Sequence, residues 1–437
     1  MTALRGLFYG SNKMATDVDV QYFSHLNGLT LGNNWGDLIR LLDKALVTGV
    51  DFTQITAASI DVQGDVHITL YAAHNAMLFQ VVELTGFIPA SFNQKYHIKG
   101  VPSASELILK PHTAIAETSI TTVGAGKLAP LGYDIIFRDA NDVKRVYRAK
   151  SPTAQHPFIR VDESLTSPDG ATGVYTSTYA KFAMVGLLEH MEHIDDYENP
   201  DVLQLPFDPS DPAKNWNITG TGTGCVRGWS KWYWAHASVS AASSGVTESS
   251  SPANGNRPFL LVGDKDAFYF QRPHTLDTSY MYLSGAGLFD SGLKSDIVPN
   301  WFLMTFLRTR TAGANESFRD YEGALPFHNA EVAARFFCCN HEETNRLTSH
   351  ISAKPIIPDY FSGFNGTYPN TNLPALQIPF SDTESKLRGT LNHVNYFGKN
   401  LRAAPRTTTT QLSDSSMYVY FPVSEYGFEV FYLGELE

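Results

Sequence analysis

Apolar residues along this chain follow two periods, and the change between them divides the sequence. In Trp35–Val47, Leu38, Leu41, Leu42 and Ala45 fall at i, i+3, i+4 and i+7, the single stripe of an amphipathic helix. Asn34 is placed to cap its N-terminus, Asp37 sits in the first turn, and Gly49 supplies a stop. From Asp51 to Lys110 the pattern changes to short β-rich runs: Val66–Tyr71, Met77–Leu84, a brief run at Tyr96, and Glu106–Lys110. Gly64, Gly86, Pro89, Asn93, Gly100 and Pro102 punctuate them, so this stretch predicts a small sandwich or barrel module.

A second strand-rich block follows. Asp134–Arg138 and Val143–Arg148 flank the polar turn Asp139–Asp142, and Phe158–Glu163 continues the sheet. Arg257–Gly263 and Ala267–Gln271 predict a hairpin with the acidic tip Asp264–Asp266, and Tyr280–Leu283 and Trp301–Leu307 add further apolar runs. Tyr179–Glu189 fits either a helical stripe or a buried strand. Pro200–Thr223 and the small, polar run Ala237–Asn256 predict loops, the second an insertion within a domain. The last third ends on the strands Met417–Pro422 and Gly427–Leu433.

These elements predict a mainly β chain (β-rich α+β) of several small antiparallel sheet or sandwich modules and one N-terminal amphipathic helix. The expected divisions are 1–50, a helical segment; 51–115, the small β-module; 116–293, a central β-rich domain with its loop insertion at 237–256; and 294–437, a C-terminal β-rich domain.

Composition narrows the function by exclusion. Of 437 residues only 18% are charged while 12% are aromatic, the reverse of a disordered chain. Lys and Arg number 33 against 44 Asp and Glu, a net charge of −11, which argues against a nucleic-acid partner. The apolar runs are too short for a membrane-spanning helix, and the opening residues lack the pattern of a secretory signal. Three Cys, two of them adjacent, suit assembly in a reducing cytoplasm.

No catalytic constellation emerges. Gly220–Gly224 (GTGTG) lacks the Lys-Ser/Thr that a phosphate loop needs, and His341–Asn345 (HEETN) lacks the second histidine of a zinc helix. Cys338 and Cys339 lie in an apolar run that reads as buried strand. Glu189–Glu198 (EHMEHIDDYE) gathers His190, His193 and Asp195, oxygen and imidazole donors that form a weak candidate for a divalent ion; the blander reading is an acidic edge or subunit contact. Trp229, Trp232 and Trp234 suit either a core or interface, or stacking on sugar rings. No catalytic residue and no cofactor is expected.

Several segments, in order, resemble a family of virion structural proteins of tailed bacteriophages. They are KRVYRAKSPTAQHPFIRVDES (144–164), AKFAMVGLLEHMEHIDD (180–196) and NRPFLLVGDKDAFYFQ (256–271), preceded by AHNAMLFQVVELTGFIPASFNQKYHIKGVPSASELIL (73–109), which is similar to a small β-module those proteins carry. KLRGTLNHVNYFGKNL (386–401) is loosely similar to their C-terminal stretch. Phe259 stands where the family has Trp, and the run 237–256 departs from its compact linker. The resemblance favours a strand for Tyr179–Glu189. It implies a non-enzymatic virion part of the tail or baseplate, assembled in the bacterial cytoplasm, with itself and other virion proteins as partners. A host-surface glycan is the alternative partner, and a cell-wall or polysaccharide hydrolase a third reading. Expected interface residues are Trp35, Leu38 and Leu42 on the helix, Trp229, Trp232 and Trp234 in the cluster, and Tyr418, Tyr420, Phe428 and Phe431 at the C-terminus.

Overall fold

The computed structural model describes residues 20–237, 247–278, 281–292, 297–308, 321–323, 325–327, 335–356, 376–396, 407–411, 416–420 and 429–435. The chain is mainly β, with several antiparallel sheets and, among the described residues, one α-helix.

One sheet has seven strands, ordered Val50–Asp51, Ala125–Leu128, Val81–Thr85, Lys95–Ser103, Glu106–Pro111, Val66–Leu70 and Ile55–Ile60. Its two outermost strands are consecutive in the chain. The linker between them is held by Phe52 N–H on the Gly126 carbonyl (3.0 Å) and by Tyr71 N–H on the Gln54 carbonyl (2.9 Å), so the sheet curls into a barrel-like module. Alternation fills its interior: Val66, Ile68 and Leu70 are buried while His67 and Thr69 are half-buried.

A second seven-stranded sheet runs Phe306–Leu307, Ser230–Ala235, Lys181–Leu188, Phe158–Asp162, Lys144–Ala149 and Tyr133–Arg138, with Gln204–Leu205 added beside Lys181–Leu188. All eight residues of Lys181–Leu188 are buried, which settles that segment as a strand covered on both faces.

Among the described residues the largest sheet has 13 strands. It begins at Gln21–Ser24, paired with Leu260–Gly263, and passes through Ala267–Arg272, Tyr282–Leu288, Trp301–Met304, Phe336–Cys339 and His350–Pro355. Leu376–Asp382 and Leu387–Tyr396 follow, then Glu429–Glu435, Ser416–Tyr420 and Thr409–Gln411, with Asp290–Ser291 paired beside Leu387–Tyr396 as the thirteenth. Tyr22 hydroxyl and Thr409 hydroxyl, from its opposite ends, both donate to the Leu78 carbonyl (3.0 and 3.3 Å), so this sheet curls as well. Tyr269 closes the interior against Phe431, with ring centroids 5.0 Å apart. Successive residues of Ala267–Phe270 serve two cores: Phe268 and Phe270 face the core shared with both smaller sheets, Ala267 and Tyr269 the interior of the curl.

Two expectations need correction, and strand pairing joins segments on either side of the expected divisions. The helix is α-helical only over Asp37–Leu42 and continues as a π-helix through Asp43–Thr48. Gly36, at φ 85, is its N-cap, while Asn34 N–H bonds Asp37 (2.9 Å). Pro200–Thr223 is not all loop: it contains Gln204–Leu205, a 3₁₀ turn at Pro212–Asn215, and Ile218–Thr221, which pairs parallel with Gly173–Val174. Strand pairing crosses 50, 115 and 293: Gln21–Ser24 belongs to the largest sheet, Ala125–Leu128 belongs to the barrel-like module, and Trp301–Met304 pairs with Tyr282–Leu288. The first two sets of partners lie far apart in sequence, so local composition does not mark them.

Candidate functional site

Two tryptophans of the cluster, Trp232 and Trp234, lie on an inner strand of the second sheet. Ser230–Ala235 lies between Phe306–Leu307 and Lys181–Leu188, and all six of its residues are buried. Alternation sends Trp232 and Trp234 into the shared core. Trp232 Nε1 donates to the Met304 carbonyl (2.9 Å), and its ring meets Phe268 edge-on at 5.9 Å. Trp35 is half-buried, packs edge-on against Trp234 at 5.6 Å, and donates to the Ser177 carbonyl (2.9 Å). Trp229 is half-buried, with His350 against its ring at 4.8 Å and Lys214 Nζ over it at 4.4 Å.

The expected interface therefore moves. Leu38, Leu42, Trp232, Trp234 and Phe431 are fully buried within this chain and offer no surface to another molecule. Burying such large apolar side chains is worth about 1.5–3 kcal/mol each, and the chain's own core takes that gain. Tyr418 and Tyr420 belong to the strand Ser416–Tyr420, and Phe428 lies outside the described residues.

The acidic segment is an ion-pair network. Lys144 Nζ reaches both oxygens of Asp195 (2.7 and 2.9 Å), and Arg160 Nη2 reaches one (2.5 Å). Burial opposes ionisation of Asp195, but Lys144 and Arg160 outweigh it and hold the carboxyl below the usual range. Arg160 also pairs with Asp162 (2.9 Å) and lies over the rings of Tyr197 and Trp216. A shallow pocket of about 40 Å³ opens beside it, lined by Lys144, Asp162, Ser164, Thr166, Tyr197 and Trp216 among others. His190 is exposed beside Glu192 (3.6 Å), and His193 Nδ1 accepts from Asp195 N–H (3.3 Å). Two cations thus hold Asp195 where an ion was considered. Among the described residues no three His, Cys, Asp or Glu side chains converge as metal ligands.

Other buried polar groups act as fasteners. Glu163 accepts N–H groups from Gly36 and Ile39 at the start of the helix, and burial pushes its carboxyl up to about 7 against those bonds. Asp43 accepts from Tyr147 hydroxyl (2.7 Å) and from Arg138 and Arg145, tying the π-helix to the second sheet. Arg227, Arg257 and Arg272 donate to main-chain carbonyls of strands and loops, supplying partners that buried backbone needs. Glu248 is fully buried and joins Lys231 (3.0 Å), Arg308 (2.8 Å) and Tyr233 hydroxyl (2.5 Å). Its signal was present in the sequence, as the lone charge within 237–256. The thiols of Cys338 and Cys339 are buried, and burial pushes Cys338 up to about 12.

Exposed apolar side chains also stand on the barrel-like module. Gln21, Asn27 and Gln80 fix one end of the module to the largest sheet: Gln21 Nε2 donates to the Val81 and Ala129 carbonyls, and Gln80 Nε2 to the Tyr22 carbonyl, each at 2.8 Å. Strand register puts three connections at the other end, 61–65, 86–94 and 112–124. Each presents an exposed apolar side chain: Val62 (97%), Ile88 (55%) and Val123 (38%). Ile88 and Thr122 bridge these last two connections. Apolar residues beside Gly64, Pro89 and Gly124 were the available signal, since turns are ordinarily polar.

No protein-family model matches this chain, and no curated protein matches it in sequence.

Proposed function

We propose that the chain is a structural component of a tailed-phage virion, in its tail or baseplate, that docks to copies of itself and to neighbouring virion proteins. The observation that carries this reading is the free end of the barrel-like module, where Val62, Ile88 and Val123 stand in solvent on three connections anchored by a rigid sheet. The ordered segments between Ala73 and Gln271 that resemble virion proteins supply the class of assembly. Extensive internal burial suits a building block, because its shape persists while its loops make contacts. The glycan alternative rested on Trp229, Trp232 and Trp234. Two are inside the core and the third is half-buried with Lys214 and His350 already against its ring, so that reading loses its three-ring stacking platform.

Mass spectrometry and electron cryo-microscopy of purified particles should find this chain in stoichiometric copies at the tail. Particles that never contain it would end the proposal. Combining Val62→Asp, Ile88→Asp and Val123→Asp should leave circular dichroism and melting unchanged while lowering incorporation at least tenfold. Normal incorporation of that variant would move the docking surface elsewhere.

A further inference from the structure

Three Asn-Gly pairs stand in the sequence, at 27–28, 254–255 and 365–366, and the third lies outside the described residues. The first two are held in opposite ways. Asn27 is 4% exposed and fully engaged. Its Nδ2 donates to the Asn75 carbonyl (2.8 Å) and to Gln80 Oε1 (3.0 Å), and its Oδ1 accepts from Ser24 N–H and Gln80 Nε2, both at 2.9 Å. Gly28 N–H is bonded to the His25 carbonyl (3.3 Å). Asn254 and Gly255, by contrast, are exposed. Among the described residues the Asn254 side chain has one bond, from Asn33 Nδ2 to its Oδ1 (3.1 Å), and nothing accepts the Gly255 N–H. Asn33 Nδ2 also donates to the Pro252 carbonyl (2.9 Å), and since a carbonyl only accepts, that contact fixes the orientation of the Asn33 amide.

The same turn clasps Arg257, which is fully buried. Arg257 Nη2 donates to the Ala253 carbonyl and Nη1 to the Gly255 and Gly32 carbonyls, each at 3.1 Å. Its Nε donates to the His274 carbonyl (3.0 Å), and its backbone N–H to the Leu31 carbonyl (2.8 Å). The guanidinium thus fits one spacing between the carbonyls on either side of Asn254.

We propose that Asn254 is a self-modification site, where the Asn254–Gly255 pair converts to isoaspartate or aspartate and the isoaspartate form loosens the Arg257 clasp. The Gly255 nitrogen attacks Asn254 Cγ, and an N–Cγ bond forms as the Cγ–Nδ2 bond breaks. Nδ2 leaves as ammonia, taking the Gly255 amide proton. Water then opens the cyclic imide at either carbonyl. Gly255 has no Cβ to obstruct the approach. Charge develops on Asn254 Oδ1 during the attack, where Asn33 Nδ2 already donates. Isoaspartate routes the chain through the side-chain carbons and adds one carbon between the Ala253 and Gly255 carbonyls, so the guanidinium no longer reaches both. The inference goes beyond the virion assignment and does not depend on it.

Peptide mapping by mass spectrometry tests the site, on the full chain aged in mildly alkaline buffer beside a sample unfolded in urea. The folded chain should gain about one dalton at Asn254, with isoaspartate among the products, while Asn27 reacts at least about tenfold more slowly because it must wait for local opening. In urea the two should react at similar rates. Asn254→Gln, whose longer side chain closes the ring far more slowly, should melt with the wild type and show no gain at 254. A folded chain in which Asn254 stays intact, or in which Asn27 keeps pace with it, overturns the site. In the purified isoaspartate fraction the Arg257 amide should exchange hydrogen about tenfold faster, the loss of one ordinary hydrogen bond. Asn254→Asp adds the charge without the extra carbon and should exchange as the wild type does. Unchanged exchange in the isoaspartate fraction, or equally fast exchange in Asn254→Asp, overturns the loosened clasp.

Discussion

Replacing Glu248 by glutamine removes a charge from the core while keeping volume and an acceptor oxygen. The carboxylate lies 3.0 Å from Lys231 Nζ and 2.8 Å from Arg308 Nη1, with every partner fully buried. Burial pulls Lys231 down to about 8, from 10.5 in the unfolded chain, even with Glu248 beside it. Without the anion the folded value falls further, and the lysine is neutral at pH 7. A lysine with its folded value depressed supports the fold least at low pH, so this contribution is lost as pH falls. Through Lys231 the lost anion therefore costs almost nothing at pH 9 and on the order of 1 to 3 kcal/mol as pH falls from 7 to 6. Arg308 and Tyr233 lose a charged acceptor at every pH, worth about 2 kcal/mol. Glu248→Gln should therefore destabilise by about 3 kcal/mol at pH 7, about 5 at pH 6 and about 2 at pH 9, within the range for breaking a buried pair. Guanidinium unfolding at the three pH values, followed by tryptophan emission and far-UV circular dichroism, measures this directly. A pH-independent difference, or less than about 1 kcal/mol at pH 6, would refute the reasoning.

Other perturbations separate the remaining fasteners. His97 is buried, stacks on Phe79 at 4.4 Å, and is pulled down to about 4 by burial with help from Lys110 and His112. Its neutral form contributes stability above pH 6.5 that is lost toward pH 4, so His97→Phe should recover up to about 3 kcal/mol in acid unfolding curves. Glu163 has the opposite sign: raised to about 7, it supports the fold fully below pH 4.5 and loses that support as pH rises through 7. Glu163→Gln should flatten that window in thermal melts taken from pH 4 to 8. Gly49 ends the helix at φ 74, and a Cβ there would lie 2.2 Å from the Leu128 carbonyl oxygen. Gly49→Ala should cost at least about 2 kcal/mol, read as a lowered denaturation midpoint, because both strain and collision oppose it.

What the sequence disclosed follows from which forces are local. The alternation in Val66–Leu70 and in Ala267–Phe270, the turn at Asp139–Asp142 and the stop at Gly49 are written in neighbouring residues, and the strands formed there. The pairing of Gln21–Ser24 with Leu260–Gly263 is not, because it joins segments that share no pattern. The tryptophans show the same limit at the level of the site. Period-2 spacing placed Trp232 and Trp234 on one face, but only the strands on either side decide whether that face meets solvent or core. Polar residues were harder still, since a buried arginine and an exposed one look alike in sequence. Arg227, Arg257 and Arg272 are fully enclosed and donate to carbonyls, and Lys231 and Arg308 enclose Glu248. Little of the chain's charged chemistry in these cores is left facing outward. What does face outward at the barrel-like module's free end is apolar, on turns, and far from those fasteners. A substitution there should change what the protein meets without changing how it folds.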